Sequence, residues 1–174
     1  EGEEEFNHMD KWLVSNLQQR IRGVTENLES WKTRAAAENA FFETWNDLRW
    51  YFRRNENPNA QVLKEVLQTW VLLMTPFTPH LCQEIWSGLG WNDFVLNQAW
   101  PIPNEAKINV EVEEAENMIK ALIEDTQSVM RATKHARPKK ICYYTAAPWK
   151  WKTYLKALEK SFSEKATPGE LIRE

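Results

Sequence analysis

Residues 35–54, AAAENAFFETWNDLRWYFRR, constrain this chain more than any other stretch. Read at helical spacing, Ala37, Phe41, Trp45, Leu48 and Phe52 fall on one side, with Phe42 and Tyr51 beside them. A helix apolar over so wide an arc has to be buried by more than one neighbour. Such neighbours are present in the sequence. Leu13, Leu17, Ile21, Val24, Leu28 and Trp31 recur at helical spacing behind Asp10, a candidate cap. Thr33 can open the helix that follows. NENPNA, residues 55–60, reads as a turn from its Asn and Pro content. VLKEVLQTWVLLM then makes a further helix that ends before Pro76.

The next stretch, TPFTPHLCQEIW at residues 75–86, sets a histidine and a cysteine close together after prolines. Pro79 suits a first helical turn, and Thr78 before it is a preferred cap. Leu81, Ile85, Trp86 and Leu89 recur at helical spacing, and Gly88 and Gly90 mark the end. His80 and Cys82 point to different sides of that helix, because only residues three or four apart face each other. The reading is a helix start with no metal site, and His80 is expected to tie down the turn as a polar group. Four helices with short connections make an antiparallel bundle.

Beyond residue 90 the texture changes. GWNDFVLNQAWPIPNEA, residues 90–106, lacks a sustained period and reads as a linker packed back through Trp91, Phe94 and Trp100. INVEV, residues 108–112, alternates Ile108, Val110 and Val112 as a half-exposed strand does. An amphipathic helix follows with Ala115, Met118, Ile119, Leu122, Ile123, Thr126, Val129 and Met130. KKICYYT, residues 139–145, reads as a second strand, and PWKWKTYLKALEK as a basic helix opened by Pro148. The expected fold is mainly α with a smaller α/β part: a bundle and packed linker over residues 1–104, then an incomplete βαβα extension over 105–174. Thr167, Pro168 and Glu170 announce one more helix in TPGELIRE, so the chain is expected to be a C-terminal piece of something longer.

Composition and charge narrow the function. A hydrophobic share of 43%, with ten tryptophans, is enough to bury a core. Cys82 and Cys142 lie far apart and are expected to be buried free thiols in a reducing compartment, the cytoplasm. No apolar run approaches the ~18 residues of a membrane span, and EGEEEF at the start is not a secretory signal. The formal charge of −3 conceals an asymmetry. Residues 105–125 hold seven acids against Lys107 and Lys120, whereas residues 131–160 hold nine basic residues against Glu159 alone. The basic block suggests contact with a polyanion, RNA before others, and its competitor is a solvated basic face. Tyr143, Tyr144, Trp149, Trp151 and Tyr154 lie among those charges, where exposed rings can stack on unpaired bases. Trp149 and Trp151 are two apart in the helix, so one is expected in a core and the other, Trp151, exposed; one of Tyr143 and Tyr144 is expected in a core by strand alternation.

Four segments occur in order: DKWLVSNL, FFETWNDLRWYFRR, TWVLLMTPFTPHLCQEIWSGLG and FVLNQAWP. Together they resemble the helical anticodon-binding domain of class I aminoacyl-tRNA synthetases, over about residues 9–101. PFTPHLCQEIW is similar to the Pro-Phe-x-Pro-x-x-x-x-Glu-x-Trp pattern of the leucyl, valyl, isoleucyl and methionyl group. His80 favours the leucyl branch, and WNDLRWYFRR resembles its archaeal and eukaryotic type. The resemblance implies a parent that joins leucine to tRNA with ATP and edits its products elsewhere in the chain. It implies no cofactor and no catalytic residue here: both ATP-site motifs are absent, and His8, His80 and His135 are scattered. It further implies that the extension reaches the long variable arm of leucine tRNA. The candidate contacts are Lys150, Trp151 and Lys152, with Lys139, Lys140 and Arg137 as a secondary set; Arg53 and Arg54 either touch RNA or complement their helix's dipole. The expected partners are tRNA and the rest of the synthetase, with the piece itself a monomer. The alternatives are an RNA-free structural scaffold or protein-docking module, and the same domain from a valyl or isoleucyl parent.

Overall fold

The computed structural model describes residues 6–134 and 138–163, with side chains as far as 159. The chain divides into two compact units, Glu1–Gln127 and Ser128–Glu174.

The first unit is a helical bundle. Helix α1, His8–Glu29, opens on a reciprocal cap: the Asn7 side chain accepts from the Asp10 amide at 2.9 Å, and the Asp10 carboxylate accepts from the Asn7 amide at 3.0 Å. Asn7 is therefore the cap, and Asp10 its partner within the first turn. The other carboxylate oxygen of Asp10 accepts from the Tyr51 hydroxyl at 2.6 Å. Leu13, Leu17, Ile21 and Val24 are buried as the sequence spacing predicts, and Trp12, outside that predicted stripe, is buried with them. Trp31 is not part of that stripe, because the helix ends before it.

The wide-arc stretch forms one helical run with an irregular middle: α2 (Thr33–Ala37), a π-helical segment (Glu38–Glu43) and α3 (Thr44–Arg54). The Thr44 hydroxyl donates to the Asn39 carbonyl at 3.0 Å, and the Trp70 indole donates to the Ala40 carbonyl at 2.6 Å. These bonds take up carbonyls in the widened turn. The π segment accommodates an extra residue, so positions before it are displaced by one from a continuous α register. Ala36 and Ala40 are buried in place of Ala37 and Phe41 as the deepest positions, followed by Thr44, Leu48 and Tyr51. Phe42, Trp45 and Phe52 instead remain 66%, 50% and 53% exposed, with Trp45 stacked on Trp70 at 6.3 Å.

Helix α4, Ala60–Met74, is capped by Asn59, whose side chain accepts from the Gln61 and Val62 amides. Helix α5, Pro79–Gly88, has Thr78 in the cap position but no side-chain cap; the hydroxyl donates back to the Met74 carbonyl at 3.4 Å. His80 is exposed and makes no hydrogen bond among the described residues. Gly90, at φ +77°, turns the chain away. The linker packs Trp91 against Trp86 at 4.6 Å, and the Trp100 indole donates to Thr25 at 2.9 Å. Val95, in a 3-10 turn over Val95–Asn97, is the buried residue there, while Phe94 is exposed.

No β-strand occurs among the described residues, so the βαβα extension is corrected. A second 3-10 turn, Glu105–Lys107, leads into α6, Val110–Thr133. Asn109 explains why INVEV fails as a strand. Its amide donates to Ser15 at 2.7 Å, and its side chain accepts from the Val112 amide at 3.2 Å, which starts a helix at that point. Val112 enters the bundle core while Val110 is exposed, which strand alternation does not allow.

In the second unit, the last turns of α6 are followed by an irregular segment and by α7, Pro148–Ser163. The expected basic helix is present. Every residue from 139 to 145 is exposed, and with no partner strand the expected second strand has no ladder to join. Cys142 is consequently exposed, against the expectation of burial, while Cys82 is buried. The helix start expected at residues 167–170 lies outside the described residues.

Candidate nucleic-acid interface

In the first unit the polar chemistry converges on Glu116, whose side chain is fully buried. Arg54 donates to both its oxygens, at 3.2 and 3.1 Å, the Trp50 indole donates at 2.8 Å, and His8 lies 3.1 Å away. Burial pushes this carboxyl up, but the Arg54 and Trp50 hydrogen bonds outweigh it and hold it below the ordinary carboxylate range. One turn on, the Lys120 ammonium sits over the rings of Trp12 and Trp50, at 4.7 and 5.3 Å. Burial pulls that lysine below its ordinary value.

Of the two arginines singled out from the sequence, Arg54 is thus committed to Glu116. Arg53 is exposed, with its guanidinium 5.8 Å from the Trp50 ring centre. Sequence reasoning missed the cluster because it joins residues far apart in the chain. The available signal was a lone glutamate on the inner face of an amphipathic helix.

In the second unit, Lys150, Trp151 and Lys152 all lie in the first turns of α7 and are exposed. Trp151 meets Tyr154 edge-on at 6.2 Å, and Lys150 lies 5.6 Å from the Trp149 ring centre. Trp149 and Trp151 are both exposed, as are Tyr143 and Tyr144, so the expected division into core and surface rings is corrected. For the tyrosines it rested on strand alternation that the segment lacks; for the tryptophans, Trp151 is exposed as expected, but Trp149 enters no core either. Lys139 and Lys140 are exposed in the irregular stretch. Arg137 lies outside the described residues. No cluster of three or more potential metal ligands occurs among the described residues.

Residues 10–142 match a family model described as the anticodon-binding domain of tRNA ligase, and the chain belongs to that family. Its relatives include leucine–tRNA ligases of archaea. That of Pyrococcus abyssi is 42% identical over 174 residues, covering 98% of this chain and 18% of the relative. That of Methanococcoides burtonii is 39% identical over 173 residues, with the same 98% and 18% coverage. The chain therefore spans about a fifth of the length of these relatives. Among solved structures, a LeuRS of Agrobacterium radiobacter K84, in a ternary complex with tRNA and LeuAMS, is similar with a TM-score of 0.54 and 29% identity. That match covers 59% of this chain and 12% of the LeuRS chain.

Proposed function

We propose that residues 1–174 are a tRNA-binding, non-catalytic part of a leucine–tRNA ligase, and that they position leucine tRNA for chemistry performed by the rest of the enzyme. The observation that carries this reading is the match of nearly the whole chain to archaeal leucine–tRNA ligases, with an anticodon-binding family model over residues 10–142. In the parent, ATP would drive leucylation in the cytoplasm, and this part would act as a monomeric arm with no cofactor of its own. The finer assignment places the first turns of α7 against the long variable arm. Exposed Lys150 and Lys152 can neutralise phosphates, and exposed Trp151 can stack on an unpaired base.

The test is binding of a leucine-accepting tRNA to the full-length enzyme over a range of salt. Lys150→Ala is expected to lower the salt slope by about one. Trp151→Ala is expected to cost roughly 1–3 kcal/mol with little salt dependence. Lys139→Ala is expected to matter less than either. If none of the three changes affinity, the basic block is a solvated face; if Lys139→Ala dominates, the site lies in the irregular segment.

A further inference from the structure

The turn between α1 and α2 holds a residue that the bundle does not explain. Trp31 is 88% exposed, and its backbone is left-handed at φ +59°. Helices commonly end through that conformation, but on glycine or asparagine. A tryptophan there carries a steric cost, and it gains no burial in return. Among the described residues its indole has neither a hydrogen bond nor a ring partner. The residues around it are Ser30, Lys32, Thr33 and Arg34, all exposed. Lys32 and Arg34 are in no ion pair among the described residues, and residues 30–37 contain no acid. The turn thus presents one bare ring between helices, followed by two unpaired cations.

We propose that Trp31 is a base-stacking residue: its indole receives an unpaired base of the bound RNA, while Lys32 and Arg34 take the adjoining phosphates. This rests on the tRNA-binding reading above and adds a contact from the bundle to those of α7. The ring selects an unpaired base because a base inside a duplex already has both faces stacked. The flanking cations favour a polyanion over an apolar protein partner. The backbone strain favours a retained ring over an incidental one, since glycine at this position would hold the same turn at lower cost.

The test uses the full-length enzyme and a leucine-accepting tRNA transcript, with binding and thermal melting measured on the same preparations. Trp31→Gly removes both the ring and the strain. Its binding is expected to weaken roughly five- to a hundredfold at every salt concentration, while its melting temperature stays level or rises. Trp31→Tyr, which keeps a ring, is expected to retain most of the affinity. Lys32→Ala and Arg34→Ala are each expected to lower the salt slope by about one. Unchanged binding by Trp31→Gly overturns the inference. So does a fall in melting temperature that accompanies the loss of binding, because it places the ring in a protein contact of the parent. If the unaltered enzyme binds no tRNA, the functional reading fails before any variant is made.

Discussion

Arg54 holds the buried carboxylate of Glu116 with two hydrogen bonds, at 3.2 and 3.1 Å, across 62 residues of sequence. Arg54→Ala would leave that carboxylate with Trp50 and His8 alone. The expected loss is about 1–3 kcal/mol of stability, discounted for the partly exposed guanidinium. Because the Nε–Nη2 edge of Arg54 is held by Glu116, the salt slope of tRNA binding is expected to stay unchanged. Chemical denaturation and the salt titration, run on one variant, separate the two effects; a reduced slope would return Arg54 to the RNA-binding set.

The same pair predicts an acid response. The folded value of Glu116 lies below its unfolded value, so its stabilisation is present at neutral pH and is lost as pH falls through the folded value. Glu116→Gln should flatten the acid limb of the stability curve. An unchanged acid limb would remove Glu116 as its source.

Tyr51 predicts the opposite limb. Burial and the hydrogen bond to Asp10 push its phenol up to about 12. A raised folded value gives stability that is complete below the ordinary tyrosine range, near 10, and is lost as pH climbs toward 12. Tyr51→Phe is expected to cost roughly 1–3 kcal/mol at neutral pH, since the Asn59 amide loses its acceptor and Asp10 a donor. Denaturation midpoints between pH 9 and 12 check both parts, and a variant that still loses stability steeply across that range would assign the effect to another group.

Helix caps give a graded comparison. Asn59→Ala removes an acceptor used by two amides and is expected to cost about 1 kcal/mol. Thr78→Ala is expected to cost less than about 0.5 kcal/mol, because the Thr78 hydroxyl caps nothing and its two contacts, to the Met74 carbonyl at 3.4 Å and the Cys82 sulfur at 3.6 Å, are long. Equal losses at the two positions would show that Thr78 acts as a cap in solution.

The sequence periods find the four bundle segments because each buries a stripe along one side of a helix. Leu13, Leu17, Ile21 and Val24 are legible in this way, as is Pro79 at the start of α5. Two kinds of feature were not. Short apolar alternation has the same look in a strand and at a helix start, and Asn109 decides between them through a bond to Ser15, 94 residues away. The Glu116 cluster is similarly invisible, since its members come from α1, α3 and α6. Of the site residues, Lys150, Trp151 and Lys152 could be placed on α7 from Pro148 alone, whereas Arg54 could not be separated from Arg53 until its partner was seen.

The π segment between α2 and α3 has a consequence for comparing chains. It is a residue gained inside a helix without a loop to hold it, with Thr44 and Trp70 bonding the displaced carbonyls. Deleting one residue between 38 and 43 would return the run to an ordinary α-helix and leave Ala36 and Leu48 facing inward as before. A one-residue gap at this place in an alignment is therefore compatible with an unchanged fold. An ungapped alignment held in register through α3 would shift every position before the segment by one, so that buried Ala36 would be matched to the equivalent of half-buried Ala35.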